Sequence, residues 1–516
     1  MAVNRSDLTT RTAVIPEYPG VTETILRVTV IYHPDPDRIG DYYELAANQS
    51  KLAIGRSSPA FVSISGDHAD RPLNDAHISR SPVQFQLGNS TLTADRQPGG
   101  SRVQIGTREV KTEPLQLEVG QLVEGVSVML AHRVVLLLRY SAPRSQLTRS
   151  ASPFLLGSSQ QMCELLEQSA RAAAAGLDVL LTGETGTGKE LVAREVHRLS
   201  ARQENPFVAI NMSAIAPSLA AAELFGHTRG AYTGADRARA GFFGQAEGGY
   251  LFLDEIGDVP AEVQPQLLRA LQQREIQVVG GDVRKVDLVV ISATDQELDA
   301  SDSSFDRALR YRLAACEIQL PPLRHHPEDV GELGLHFFSL YRDQLGDAPP
   351  LPGETDDAYL IACYALLFHQ FMCCRWPGNI RQLENAVRQV VLASDETRLV
   401  VPAVVTRSLT DVSATRYSTR PLRDPAQISE GELLAAMEKN RYELANAARQ
   451  LHISRPGIYR RIKTSPSLRT AAEIPLEELR ESLAQHEGAL GPAAAALKVS
   501  RTALSRRLRA ERIIEC

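Results

Sequence analysis

The segment GETGTGK (Gly183–Lys189) has the spacing GxxxxGK. Its glycines let backbone N–H groups curl around phosphate oxygens, and a helix start behind them adds a favourable dipole. Lys189 is the residue to reach the β- and γ-phosphates. Glu190 stands where a serine or threonine usually helps hold magnesium. Farther along, YLFLDE (Tyr250–Glu255) ends an apolar run in two carboxylates. Asp254 suits a magnesium position and Glu255 a group that polarises an attacking water. A glycine-rich turn and a polar strand end would each be unremarkable alone. In this order they point to ATP hydrolysis with ATP and Mg2+ as cofactors.

The elements that must position these groups follow from the apolar pattern. Val179–Thr182 reads as a strand before the glycine loop and Glu190–Leu199 as the helix after it. Phe207–Asn211, Tyr250–Leu253, Val286–Ala293 and Cys316–Leu320 are further strand candidates, so residues 153–320 form an α/β layer with a mostly parallel sheet. Residues 325–400 are helical in character. Residues 22–140 have β character: Thr24–Tyr32, Pro82–Leu87, Ser101–Ile105 and Val134–Tyr140 are separated by turn-rich stretches, as in a β-sandwich. Ser141–Ser152 reads as a linker, and so do residues 402–427, which carry Pro421 and Pro425. Residues 428–516 read as short helices and contain a repeat at an offset of 46: Ala447–Ile462 matches Ala493–Leu508.

The 516 residues predict about three domains. Lysine plus arginine is 56 and aspartate plus glutamate 62, a net charge of −6, which argues against a nucleic-acid binder along the whole length. The average conceals a split. Residues 428–516 hold fifteen Lys/Arg against eleven Asp/Glu, a local +4. Six cysteines (Cys163, Cys316, Cys363, Cys373, Cys374 and Cys516) form no CxxC pair, which fits a reducing compartment. No apolar run suits a secretory signal or a membrane span, so the expected location is cytoplasmic.

Between the two phosphate motifs lie ELFGH (Glu223–His227) and GAYTGA (Gly230–Ala235). With GETGTGKE, LFLDEIGD, LPPLR and WPGNIRQLEN in order, residues 153–395 resemble the sigma-54-dependent bacterial transcription activators, which are AAA+ ATPases and enhancer-binding proteins. The resemblance implies a hexameric ring that hydrolyses ATP between subunits. It implies a loop of Gly230, Ala231, Tyr232, Thr233, Gly234 and Ala235 that engages sigma-54 RNA polymerase and remodels the closed promoter complex. Nucleotide would be held by Gly183, Glu184, Thr185, Gly186, Thr187, Gly188, Lys189 and Glu190, the family's own loop reading GKE. Asn211 falls where an asparagine restrains the catalytic glutamate, and Arg381 where a sensor arginine meets the nucleotide. Trp376, the one tryptophan, suits packing at a helix start.

Some positions depart from the family pattern. Where it has two arginines reaching a neighbouring subunit's γ-phosphate, Arg312 is retained, but the first position is Asp306, followed by Arg307. Asp306 would bring negative charge near a phosphate. The sensor ATN is Ala293-Thr294-Asp295, and Tyr232 stands where phenylalanine is usual. Hydrolysis rate is therefore less secured than nucleotide binding.

The C-terminal repeat resembles Fis-type helix-turn-helix units. Leu444–Leu451 and Leu490–Leu497 would be supporting helices, Ser454–Lys463 and Ser500–Arg509 recognition helices. Ser454 and Ser500 suit N-caps. Arg455, Tyr459, Arg460 and Arg461, then Arg501, Arg506 and Arg507, suit DNA contacts. The second unit could instead be an oligomerisation element. The N-terminal region resembles a forkhead-associated (FHA) domain through LAIGR (Leu52–Arg56), ISR (Ile78–Arg80) and Leu117–Gln121. That implies phosphothreonine held by Arg56, Ser79 and Arg80, although Pro82 and Gly99-Gly100 replace two expected residues.

The expected architecture is multidomain: an FHA-like β-sandwich over 22–142, an AAA+ ATPase over 153–400 whose helical subdomain begins after about 323, and all-α helix-turn-helix units over 428–466 and 474–512. The expected function is sigma-54-dependent activation from enhancer DNA by an ATP-hydrolysing homo-hexamer with a phosphothreonine peptide or protein as input, away from membranes. The alternatives are a hydrolysis-impaired, nucleotide-sensing DNA-binding regulator, and a phosphopeptide-binding adaptor on DNA.

Overall fold

The computed structural model describes residues 24–508 apart from 47–48, 64–69, 89–90, 144–151, 233–234, 297, 299–304, 346–348, 417–427, 441, 443, 452–457, 459–460, 463–464, 466, 470–473, 487–489, 501–503 and 506. Two compact units result, Met1–Tyr417 and Ser418–Cys516.

The first unit opens with β1 (Ile25–Tyr32), β2 (Tyr42–Leu45), β3 (Lys51–Ile54), β4 (Val83–Leu87), β5 (Thr91–Arg96), β6 (Val103–Ile105), β7 (Arg108–Val110), β8 (Leu115–Glu118), the short helix α1 (Gln121–Glu124), β9 (Val126–Leu130) and β10 (Val134–Ser141). They form two antiparallel sheets, β2-β1-β10-β9-β6-β7 and β3-β4-β5-β8, whose inward residues share one core. Strand residues alternate between faces, and in this fold both faces of β1, β9 and β10 are covered. Val134, Leu136 and Leu138 enter the core between the sheets. Val135 and Leu137, with Ile31, Tyr32 and Met129, enter a different core shared with helices some 200 to 380 residues farther on. That is why VVLLL is apolar without alternation: a half-solvated antiparallel strand alternates, a doubly covered one does not.

The α/β layer contains α2 (Gln160–Ala175), β11 (Val179–Thr182), α3 (Lys189–Arg198), β12 (Phe207–Asn211), α4 (Ala220–Phe225), α5 (Gly241–Gln245), β13 (Tyr250–Asp254), α6 (Gln264–Gln273), the hairpin β14 (Glu275–Gln277) and β15 (Val283–Lys285), β16 (Val289–Thr294), α7 (Arg307–Leu313) and β17 (Glu317–Gln319). The five long-range strands pair in parallel in the order β12-β13-β16-β11-β17. This order puts β11, which carries the glycine loop at its end, beside β16, with β13 one strand farther. The C-terminal ends of the strands therefore bring the phosphate loop, Asp254, Glu255 and Asp295 to one edge, where ligands bind in such sheets.

Four helices follow: α8 (Val330–Leu345), α9 (Ala358–Cys373), α10 (Asn379–Ala393) and α11 (Ala403–Arg416). The last corrects the sequence reading, in which residues 402–427 are a linker. Val405 and Leu409 bury into the helical core and hold α11 there, so the helical part extends beyond residue 400. Trp376 is buried in the same core, edge-on to Phe371 and donating its indole N–H to the Phe371 carbonyl at 3.0 Å.

The second unit has helices at Glu430–Lys439, Leu444–Leu451, Leu476–Gln485 and Leu490–Ala496. Ser429 and Glu432 close a capping box at the first of them. Two separate cores repeat the 46-residue offset: Ile428, Leu433, Ala447, Ile458 and Ile462 in one, Ile474, Leu479, Ala493, Leu504 and Leu508 in the other. No described helix is long and apolar enough to cross a membrane, and five described cysteines are free thiols.

Candidate functional site

The glycine loop turns where only glycine is comfortable. Gly183, Gly186 and Gly188 have φ of 154°, 81° and 98°, a region costly for a residue with a Cβ. At Gly186 a Cβ would also lie 2.5 Å from the Gly378 carbonyl oxygen. The Lys189 ammonium bridges the loop, donating to the Gly183 carbonyl at 2.9 Å, and Thr187 Oγ1 donates to the Glu184 carbonyl at 2.8 Å. Glu190 points along the helix and pairs with Arg194 at 2.7 Å, four residues on. These donors and this curvature suit a nucleotide's phosphates. Among the described residues no group of three or more His, Cys, Asp or Glu could hold a metal unaided.

The two carboxylates occupy different environments. Asp254 ends β13, and burial raises its pKa. Glu255 follows in the left-handed region at φ 52°, a strained position for a non-glycine residue. Burial and then the nearby Asp295 charge raise its pKa. Asn211 is expected to restrain the glutamate. Its side-chain N–H faces Asp254 Oδ2, the residue before that glutamate, at 3.4 Å, because Asn211 and Asp254 are register partners on adjacent strands. Asp295 accepts a 2.6 Å hydrogen bond from Thr185 Oγ1, so the sensor position touches the phosphate loop itself. Arg381 is exposed, and its charge acts on Asp254.

Asp306 has a local role at the start of helix α7. Its carboxylate accepts from the Leu309 N–H at 3.0 Å as an N-cap, and its own N–H donates to Gln264 Oε1 at 2.7 Å. Arg307 follows as an exposed first-turn residue. Arg312 donates to the Leu271 carbonyl at 2.8 Å and lies 3.5 Å from Asp178 within its own chain.

The expected sigma-54 loop is pinned at its base by Gly230 N–H to the Ala235 carbonyl at 2.8 Å. Ala231 packs on Gly280 of the β14–β15 hairpin. Tyr232 is 37% exposed and edge-on to His227. Thr233 and Gly234 lie outside the described residues.

Two residues of this site escaped the sequence reading. Arg324 grips Glu184 with both terminal nitrogens, at 2.8 and 2.6 Å, and this holds the carboxyl below its usual range. Asn379, fully buried, donates to Glu184 Oε2 and to the Thr185 carbonyl, both at 3.1 Å. Both belong to quoted motifs, LPPLR and WPGN, so the signal was present. What was missing was the partner.

In the sandwich, Arg56 and Ser79 are adjacent, the Arg56 N–H donating to the Ser79 carbonyl at 3.1 Å. The Arg56 guanidinium turns onto the Ile78 carbonyl at 2.7 Å and also meets Ala76. Ser79 Oγ faces the Gly99 carbonyl at 3.3 Å, and Arg80 is exposed. In the second unit, Arg461 is held by the Ile428 carbonyl at 2.9 Å and by Glu430 at 3.0 Å, which makes it a tie between helices. Arg507, its repeat counterpart, is half-buried, and Ser500 is buried. Ser454, Arg455, Tyr459, Arg460, Arg501 and Arg506 lie outside the described residues.

Comparison with known proteins agrees with this geometry. The Sigma-54 interaction domain matches residues 155–319, an AAA+ ATPase lid domain residues 324–418, and a bacterial regulatory protein Fis-family domain residues 425–464. The chain is similar to the transcriptional regulatory protein ZraR of Klebsiella oxytoca, 39% identical over 68% of this chain and 76% of that one. It is similar to the DNA-binding transcriptional regulator NtrC of Klebsiella pneumoniae, 37% identical over 62% and 72%. Among solved structures it resembles NtrX from Brucella abortus in complex with ADP, at 27% identity over 69% of each chain and a TM-score of 0.43. The chain belongs to the sigma-54-dependent transcriptional activators, as an AAA+ ATPase with a helical lid and a Fis-type DNA-binding helix-turn-helix.

Proposed function

We propose that this activator assembles as a homo-hexamer on enhancer DNA, hydrolyses ATP with Mg2+ between subunits, and remodels the sigma-54 RNA polymerase closed complex. The observation that carries this reading is the shared edge: one sheet end gathers the Gly183–Lys189 loop, Asp254 and Glu255. Lys189 binds the β- and γ-phosphates, Asp254 the magnesium, and Glu255 polarises the water. Arg381 reads nucleotide in the same chain, and Arg312 with Arg307 reaches the neighbouring one. Tyr232 is the residue presented to sigma-54. Residues 428–466 and 474–512 both read DNA through Arg455 and Arg460 and through Arg501 and Arg506. The sandwich, FHA-like in its Arg56–Ser79 juxtaposition, receives a phosphothreonine peptide once the Arg56 guanidinium swings off its carbonyls.

The test is open-complex formation by sigma-54 RNA polymerase on a template carrying an enhancer. Wild-type protein with ATP drives it and Lys189→Ala does not. Normal activation by that variant would sink the proposal. Titrating a phosphothreonine peptide against full-length wild type and Arg56→Ala tests the input: binding by both alike removes Arg56 from it.

A further inference from the structure

The sandwich and the lid have no boundary between them. Tyr32 of β1 stacks on Phe368 at 5.1 Å and on Tyr364 at 6.3 Å, and its hydroxyl donates to the Ile361 carbonyl. Gly331 of α8 lies so close to β1 that a Cβ there would stand 2.3 Å from the Ile31 carbonyl oxygen. His369 of α9 links to Ser127 Oγ and to the Gly106 carbonyl, both at 2.7 Å.

One polar contact leads from this junction toward the nucleotide. The Arg139 guanidinium, on β10, shares its Nη1 between both oxygens of Glu328 at 2.8 and 2.9 Å, donates from Nη2 to the His325 carbonyl at 2.8 Å, and reaches the Val123 carbonyl from Nε at 3.3 Å. The pair is about nine-tenths buried, at 11% and 9% side-chain exposure. Residues 323–329, which it grips, form two consecutive tight turns. The same seven residues supply Arg324 to Glu184, and the Leu323 N–H to Asn379 Oδ1 at 2.9 Å. They also supply Asp329, which accepts from the Ser158 and Ser159 N–H groups at the start of α2.

We propose that Arg139 is a positioning residue for nucleotide binding: by fixing residues 323–329 it sets Arg324 and Asn379 on Glu184 and Thr185, and so makes the sandwich a standing part of the ATP site. A buried guanidinium whose three nitrogens go to three different partners, Nη1 to Glu328, Nη2 to His325 and Nε to Val123, restrains both position and orientation. A turn so short transmits that restraint over one residue, from His325 to Arg324. Because Glu184 and Thr185 shape the phosphate cradle and do not carry the water-activating carboxylate, loosening them weakens binding and leaves the chemical step alone.

The inference rests on nucleotide binding at Gly183–Lys189. The test measures ATP affinity and hydrolysis in the full chain for wild type, Arg139→Ala, Gly331→Ala, Arg324→Ala, Arg139→Ala/Arg324→Ala and Lys189→Ala. Arg139→Ala and Gly331→Ala, which break the junction independently, each raise the ATP Kd and KM about tenfold, with kcat at saturating ATP within about twofold of wild type. The double variant loses less than the sum of the Arg139→Ala and Arg324→Ala losses, because Arg139 acts in part through Arg324 and in part through the Leu323–Asn379 contact. Arg139→Lys, which keeps a charge for Glu328 but cannot also hold the His325 and Val123 carbonyls, lies between wild type and Arg139→Ala and covers the case in which the alanine chain does not fold. An unchanged Kd in Gly331→Ala and Arg139→Lys, or additive losses in the double variant, overturns the proposal. Unchanged binding in Lys189→Ala overturns the nucleotide site itself, so the two failures are distinguishable.

Discussion

Asn379 and Glu184 are 195 residues apart in sequence and meet at 3.1 Å. The same Asn379 amide donates to the Thr185 carbonyl and its oxygen accepts from the Leu323 N–H. One buried side chain thus joins the lid helix α10, the turn that precedes the lid, and the phosphate loop. Its backbone sits at φ 53°, where asparagine is better tolerated than most residues.

Asn379→Ala leaves these three partners without their amide. A hydrogen bond to a charged group contributes about 1.5–3 kcal/mol, so the ATP Kd rises by about tenfold or more. A titration with fluorescent ATP analogue checks it. A Kd within twofold of wild type contradicts the link between lid and loop.

Helix α7 carries the second prediction. Asp306 caps it, so Asp306→Ala costs about 1 kcal/mol of stability, read as a lower thermal midpoint. Asp306→Arg, which installs the residue expected at that position from the resemblance, loses the same cap and gains no stability. A variant as stable as wild type would show that the cap contributes nothing.

The sequence displayed the chemistry and most of the central fold. Gly183–Lys189, Asp254 and Glu255 sit on the strand ends that the apolar runs predicted, because parallel strands buried on both faces are continuous apolar stretches. That Asn211 faces Asp254 is a matter of strand register, which spacing alone does not set. Asp306 looked like a misplaced charge because a cap is visible only once the helix start is known. The junction of sandwich and lid was legible in one detail, the unbroken run Val134–Leu138, which needed a cover on each side. The identity of that cover, α8 and α9, lies some 200 residues away and could not be read locally.

The junction also predicts a pH dependence. Burial holds His369 below its usual 6.5, and burial with the Arg38 charge does the same for His33. Neutral His369 accepts at one ring nitrogen and donates at the other, between Ser127 and Gly106. The unfolded chain takes up its proton near 6.5 and the folded chain only at lower pH. Stability is therefore full above about 6.5 and falls as pH drops below it. Thermal midpoints of the full chain should decline below that pH, and His369→Gln should decline less steeply. Equal slopes would remove His369 from the effect.

The loop that begins at Gly230 predicts a separation of activities. Tyr232 is exposed and far in role from the phosphate cradle, so Tyr232→Ala abolishes sigma-54-dependent open-complex formation while ATP hydrolysis stays within about twofold. Tyr232→Phe, which keeps the ring, retains both. Loss of hydrolysis in Tyr232→Ala would mean that the residue supports the motor rather than the contact.

The most direct test is the ATP turnover per chain of the full protein as a function of its concentration, with Lys189→Ala alongside. If Arg312 of one chain completes the site of the next, as proposed, turnover per chain rises steeply with concentration, and the variant shows no turnover at any concentration. Turnover per chain that is independent of concentration, or unaffected by Lys189→Ala, would contradict it.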